Sequence, residues 1–394
     1  MLSVALAGKP NAGKSTFYKA ATMADVDIGN YPFTTIDPNR GVTHVRTDCP
    51  CLDREQRCGN ENCRAGKRYV PVELLDVAGL VPGAHEGKGL GNQFLDALSN
   101  ADVVLNVVDA SGGTNAEGEP VETGSYDPTR DVEFVEREMD LWLAGILSDN
   151  WETVTRQSRS PEFDIDDALT EVLTGVGGTV ASVARVLRSV EYPDAPQAWD
   201  DDHRELLAET FRRETKPIVV VANKADIAPE SNIDALREAA SGPVVPCTAE
   251  GELALRTASE GGVIDYDPGD AEFEIRGELS ETQADGLEQI REVTGAFGGT
   301  GVQSALDSAV YGRLDQITAY PVQNETRWTD GQETVLPDAF LLDPGATPRD
   351  LAYAVHSDIG EGYLHAVDAR ADRRIGEEHV LSEGDVVKIV STAT

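Results

Sequence analysis

Positive charge is what this chain has least of. Of 33 basic residues in 394, only eight are lysine (positions 9, 14, 19, 67, 88, 216, 224 and 388), against 70 Asp plus Glu and a formal net charge of -37. No apolar run approaches the ~20 residues that span a bilayer, which argues against a transmembrane helix. The opening stretch "MLSVALAG" is too short and uncharged to read as a signal peptide, so a cytoplasmic, non-membrane protein is expected. A carboxylate surplus can mean disorder, but the 40% hydrophobic content is evenly patterned and suits a folded chain. The better reading is adaptation to a high-salt cytoplasm, where self-repulsion is screened to within ~3 Å at 1 M salt. Such a surface says little about function, and it masks any local basic patch used for RNA. Cysteine is scarce too, with five in all, and a reducing cytoplasm disfavours disulfides. Some chemistries are missing. His85-Glu86 lacks the second histidine of a metalloprotease, glycines 87, 89 and 91 do not fit a dinucleotide fingerprint, and no Ser/His/Asp spacing stands out.

What is present is an alternation of strand-like and helix-like segments over the first 110 residues: "LSVALAG", "GKSTFYKAATMA", "RYVPVELLDVAG", "GNQFLDALSNA" and "DVVLNVVDAS". Near-continuous apolar strands separated by helices predict a parallel sheet covered on both faces. A polar, glycine-rich loop follows at 112–130, then a strand-free region with apolar residues at three- and four-residue spacing. The sheet pattern resumes at "KPIVVVANKAD" and "GPVVPCTAE", so the helical block is an insertion. The expected organisation is an α/β nucleotide-binding domain over 1–130 and 216–279, an inserted helical domain over 131–215, a helical connector over 280–318, and a small α+β domain over 319–394. The Trp142, Leu143 and Ile146 stripe is expected to be helix-packing core.

"GKPNAGKST", residues 8–16, fits G-x-x-x-x-G-K-[ST] and sits between a predicted strand and a predicted helix. Gly8 and Gly13 allow the tight turn that points the amides from Asn11, Ala12 and Gly13 through Thr16 onto phosphates. Lys14 is placed to reach the β/γ-phosphates and the Ser15 hydroxyl to ligate Mg²⁺ at a helix N-terminus. Asp76, ending a strand, can hold the same Mg²⁺ through water, and the Gly79 amide can sense the γ-phosphate. Thr34 or Thr35 can close onto the metal only while that phosphate is present, and Thr35 is the assigned ligand. Asn223-Lys224-Ala225-Asp226 ends another strand, and the Asp226 carboxylate can accept both guanine N1–H and the N2 amine. Thr248-Ala249 can set a backbone N–H on guanine O6. Five motifs in this order, each at a strand end, predict a guanine-nucleotide-binding domain that binds GTP and GDP.

At these residues the chain resembles the Obg family of translation-factor-like GTPases, in its YchF (Obg-like) branch. The likeness is carried by "NYPFTTIDPN" and by "DVAGLVPGAHEGKGLGNQFLDAL" (76–98), and it runs on through "DAFLLDPGATPRDLAYAVHSDIGEGYLHAVDARADRRIGEEHVLSEGDVVKIV", which is similar to a ubiquitin-like TGS domain. The resemblance implies a P-loop NTPase fold with an inserted helical domain and a β-grasp tail, association with ribosome or RNA, K⁺ bound through Asn11, and His85 approaching the γ-phosphate. Many YchF proteins carry N-x-x-E and prefer ATP; this chain keeps Asn-Lys-x-Asp, which favours GTP. Leu80 stands where Ras-like enzymes place the water-orienting glutamine, and an aliphatic side chain cannot orient water. A slow, K⁺-stimulated, Mg²⁺-dependent GTPase acting as a monomer is therefore expected. The alternatives are an Obg-like ATPase of stress response and a nucleotide-gated binding module with negligible turnover. Separately, Cys49, Cys51, Cys58 and Cys63 in "CPCLDREQRCGNENC" could set four thiolates around Zn²⁺. A redox-sensitive loop, or cysteines without a role, are the other readings.

Overall fold

A computed structural model of the chain describes residues 1–23, 40–54, 57–77, 83, 98 and 101–392. Its main sheet is built from β1 (Ser3–Ala7), β2 (Arg40–Asp48), β3 (Cys63–Arg64), β4 (Lys67–Asp76), β5 (Val103–Asp109), β6 (Ile218–Asn223) and β7 (Val244–Pro246). The order is β2-β4-β1-β5-β6-β7, with β3 hung on β4. All neighbours from β4 to β7 are parallel, and β2 and β3 are antiparallel to β4. The period-two geometry of a strand sends Val4 and Leu6 to one face and Ala5 and Ala7 to the other, and both faces are buried. That is why β1, β5 and β6 read as continuous apolar runs rather than alternating ones.

On the first face, Phe17, Ala20 and Ala21 of the helix Lys14–Thr22 pack on Val4, Leu6 and Val107. Phe17 is fully buried, which contributes about 1.5–3 kcal/mol relative to an exposed side chain. Joining them are Val302, Ala305, Leu306, Ala309 and Val310, from the helix Val302–Asp307 and the π-helical turn Ser308–Arg313. Residues assigned from the sequence to a helical connector thus cover the sheet itself. Their apolar spacing signalled a helix, but nothing local says which core a helix joins.

The second face is covered by the first turns of the helix Thr129–Gln157. Val135 and Met139 pack against Ala5, Ala7 and Val104, and Val132 joins Val108 and Val220. The same helix, 29 residues and therefore about 43 Å long, then leaves the sheet. Its Leu143, Leu147 and Trp151 enter a separate core with Leu169, Val183 and Phe211. Those come from helices Ile165–Leu173, Val180–Ser189 and Asp201–Thr215. One rigid rod therefore belongs to both the sheet and the helical insertion, crossing the boundary drawn at residue 131. The rod is fastened to Asp201–Thr215 by buried Arg212, whose Nε donates to Asp140 at 2.6 Å. Trp142 and Ile146 pack against the insertion core as their spacing indicated.

A two-stranded ribbon, β8 (Ile264–Asp265) with β9 (Glu274–Ile275), and the helix Glu281–Phe297 follow. The chain ends in a second sheet from β10 (Ile317–Val322), β11 (Phe340–Leu342), β12 (Tyr363–Asp368), β13 (Arg373–Ile375) and β14 (Asp385–Ser391), ordered β11-β10-β14-β12-β13. Its central pair β10/β14 is parallel and the rest antiparallel, with the helix Pro348–Val355 packing Leu351 onto one face. No helix among the described residues is long and apolar enough to cross a membrane.

Candidate nucleotide site

The loop after β1 holds three positive-φ residues in a row of six: Gly8 at +132°, Asn11 at +60° and Gly13 at +100°. The two glycines are obligatory on steric grounds as well. A Cβ at Gly8 would lie 2.3 Å from the Val107 carbonyl oxygen, and one at Gly13 would lie 2.1 Å from Asn223 Nδ2. Gly13 caps the helix Lys14–Thr22 without a side-chain acceptor, and no acidic residue occupies the first turn. The first N–H groups, including those of Ser15 and half-buried Thr16, are thereby left to an anion. Buried Lys14 bridges the loop by donating to Gly8 O at 2.9 Å and Lys9 O at 2.8 Å. Burial lowers its pKa to about 8, against the opposing pull of Asp76.

Asp76 is the last residue of β4 and pairs in register with Leu6, just before the loop. Burial pushes its carboxyl up, while the Lys14 charge and a hydrogen bond from Ser15 pull it down. A hydroxyl and a carboxylate in contact beside a phosphate cradle form an all-oxygen set that suits a hard divalent cation such as Mg²⁺. Of the remaining switch residues, Thr34, Thr35, Gly79, Leu80 and His85 lie outside the described residues.

The base-recognition motif is tied physically to the phosphate loop. Asn223 is buried; its Nδ2 donates to Ala12 O at 2.9 Å and its Oδ1 accepts from Ala249 N–H at 3.1 Å. One side chain therefore spaces the phosphate loop, the end of β6 and the Thr248-Ala249 turn. Thr248 caps the helix Ala249–Glu260 by accepting from Gly251 N–H. Lys224, at φ +60°, donates to Asn11 O at 3.2 Å and to Asp109 Oδ2 at 2.8 Å. Burial raises the Asp109 carboxyl, but bonds from Lys224 and Ser111 outweigh it and hold it below the usual range. Asp226 stands exposed beyond this framework, where its carboxylate can meet a base edge.

A second set of contacts carries no motif. Lys9 is almost fully buried and pairs with Asp131 at 2.8 Å, donates to Thr114 O at 2.8 Å, and lies 3.9 Å from the centre of the Tyr126 ring. Asn11 Nδ2 donates to Gly118 O at 2.9 Å. Segment 112–126 is thus strapped over the phosphate loop and joined to the start of the long helix. The one sequence signal was rarity, since Lys9, Lys14 and Lys224 are three of only eight lysines in the chain. On the far side, fully buried Glu252 accepts from Arg256, Tyr266 and Thr300, and Arg256 also donates to Met23 O.

The four clustered cysteines do converge. Their sulfur atoms all lie within 4.8 Å of one another, with Cys49–Cys58 at 4.0 Å and Cys51–Cys63 at 3.8 Å. They sit at the turn between β2 and β4, at the opposite end of that strand pair from Asp76. Cys247 is buried apart from them in the core of the main sheet.

A parallel sheet bearing a phosphate loop, an acid at the end of β4 and an asparagine-anchored guanine motif defines a P-loop GTP-binding protein. Three family profiles match: a 50S ribosome-binding GTPase over residues 3–137, an Obg-like GTPase YGR210-like G4 motif-containing domain over 221–324, and a TGS domain over 332–391. The chain is 42% identical to a GTP-binding protein of Methanocaldococcus jannaschii, covering 100% of both. It is 27% identical to the ribosome-binding ATPase YchF of Bacillus subtilis, over 98% of both chains. A crystal structure of a GTP-binding protein from Pyrococcus horikoshii is similar at TM-score 0.79 and 36% identity, covering 99% of this chain and 100% of that one. The chain belongs to the YchF/Obg-like GTPase family, with a G domain and a C-terminal TGS domain.

Proposed function

We propose that this protein is a slow GTPase switch that turns over GTP to GDP and phosphate with Mg²⁺ and works in association with the ribosome or its RNA. The observation that carries the guanine assignment is Asn223, which locks the spacing between phosphate loop and base motif and leaves Asp226 exposed beside it. Guanine presents N1–H and its 2-amine side by side and gains two hydrogen bonds to that carboxylate, whereas adenine has an N1 acceptor and no 2-amine. Lys14 would exchange its two carbonyl partners for phosphate oxygens. Ser15 and Asp76, with Thr35, would hold Mg²⁺, which when bound neutralises charge between the β- and γ-phosphates. The NH₂ of Asn11 is committed to Gly118, so its side-chain oxygen is the atom to offer K⁺. Gly79 and His85 are proposed at the γ-phosphate, and Leu80 accounts for slow turnover. Zn²⁺ is proposed for the four cysteines. With Zn–S near 2.3 Å, the sulfurs of a tetrahedral site are ~3.8 Å apart, against the 3.8 and 4.0 Å separations found here. Four thiolates with no hard ligand suit that ion better than Mg²⁺.

The ribosome reading rests on the relatives and on the name of the matching G-domain family. A second reading, an ATPase, is favoured by more distant relatives that carry that name. Competition of GTP and ATP for the purified protein separates the two. Preference for GTP, lost in Asp226→Ala, supports the first; equal or tighter ATP binding overturns it. Phosphate release in KCl and NaCl, with and without ribosomes, then tests turnover, and none in any condition would leave a nucleotide-gated binding module.

A further inference from the structure

We infer that the ion held by Cys49, Cys51, Cys58 and Cys63 is a pin that fastens the C-terminal domain to the G domain; this rests on the zinc reading above. The cysteines share one hydrophobic core with Tyr320, Val322, Trp328 and Val386 of the C-terminal part. Two cysteines are buried and two partly exposed, so the cluster forms one wall of the contact between the domains. Polar ties surround it. Asn60 Nδ2 donates to Leu336 O at 3.1 Å and to Pro337 O at 3.0 Å, and fully buried Arg68 donates to Leu336 O at 2.6 Å. Arg54 lies 4.7 Å from the Trp328 ring centre, and Asp53 pairs with Arg370.

The segment that presents all these groups has almost nothing of its own to fold around. Among its described residues, the segment between β2 and β4 offers a four-residue 3₁₀ turn, Pro50–Asp53, and the two-residue strand β3. Backbone ordering costs roughly 1–2 kcal/mol per residue, and one short turn cannot offset that. Thiols are poor hydrogen-bond partners, and four thiolates packed this closely would repel one another. A divalent ion removes both difficulties, because metal binding supplies folding free energy directly. The knuckle also lies at the end of the nine-residue pairing of β2 with β4, whose other end carries Asp76. Metal occupancy therefore decides whether the C-terminal domain is held against the strand pair that leads into the nucleotide site.

The test uses the full chain in concentrated KCl. Zinc content is measured, Co²⁺ is titrated into metal-stripped protein, and hydrogen exchange is followed segment by segment with and without chelator. The expected results are one zinc per chain and tetrahedral thiolate spectra with Co²⁺. Chelation should raise exchange in 320–336 roughly tenfold or more, while β1 and the helix Lys14–Thr22 keep their protection and GDP still binds. Cys58→Ser with Cys63→Ser should match chelation. Asp53→Ala with Arg54→Ala should keep the zinc yet raise exchange in 320–336. No metal and no Co²⁺ spectrum would overturn the zinc reading and the pin together. Stoichiometric zinc whose removal leaves 320–336 protected would overturn the pin alone. Chelation that unprotects β1 equally would also overturn it, because the ion would then support the whole fold.

Discussion

Replacing Lys9 with methionine should be among the most damaging single changes in the G domain, although position 9 is a free position of the phosphate-loop pattern. Lys9 and Asp131 are almost fully buried at 2.8 Å. Removing the cation leaves a carboxylate in a poorly hydrated site, where among the described residues the Tyr126 hydroxyl donates to it at 3.0 Å. Breaking a buried pair from one side costs about 3–5 kcal/mol. Asp131→Leu should cost a similar amount, leaving an ammonium with Thr114 O and the Tyr126 ring. The double variant Lys9→Met/Asp131→Leu removes both charges and replaces them with apolar groups, a change that is often near neutral. Independent effects would sum to about 6–10 kcal/mol, so the double variant should be several kcal/mol better than additive. The assay is hydrogen exchange of β1 and β5 amides across a urea series at fixed KCl, which reads this domain and leaves salt constant. The deficit of Lys9→Met has a pH signature. Burial already raises the Asp131 carboxyl, with Lys9 opposing; without Lys9 it rises further, so acidification should relieve the deficit by protonating Asp131. Single variants each within about 1 kcal/mol of wild type, or a double variant as unstable as the summed singles, would refute the reasoning.

Other consequences are equally direct. Gly13→Ala places a Cβ 2.1 Å from Asn223 Nδ2 at a φ of +100°, so GDP affinity should fall by about two orders of magnitude or more, as read by calorimetry. Lys14 titrates near 8, and bound phosphates favour its charged form. GDP affinity should therefore be full below that pH and fall above it, by up to about tenfold per unit; a flat profile from pH 7 to 9.5 would contradict the assignment. Asp307, which accepts from Arg46 N–H and Gln303, has a pKa raised by burial to about 6. A raised carboxyl pKa stabilises below the unfolded value near 4, and that contribution is lost as pH rises through 6. Asp307→Asn should flatten this slope, worth at most about 3 kcal/mol and less because the residue is only partly covered; an unchanged pH–stability curve would argue against it.

The parallel sheet was legible from β1, β5 and β6 because strands buried on both faces must be apolar at every position. The phosphate loop and the guanine motif were legible because their geometry demands particular residues. Gly13 has no alternative beside Asn223, and Asn223 needs both its donor and its acceptor. The strap was not legible. Thr114, Gly118 and Tyr126 meet Lys9 and Asn11 through backbone carbonyls or a ring face, and neither leaves a fixed residue type at a fixed spacing. The same holds for Val302, Ala305 and Val310, whose pattern predicts a helix and says nothing of the face it will cover.

Strand periodicity, glycine at forced φ angles and the order of short polar motifs were thus determined along the chain, because each depends on neighbours a few residues apart. The convergence of four sulfurs onto the C-terminal core, the burial of Lys9 against Asp131, and the sharing of one long helix between two cores were decided only by tertiary packing. Those contacts join residues distant in sequence, and their energy comes from excluding water once the segments meet, a condition that local residue order does not encode.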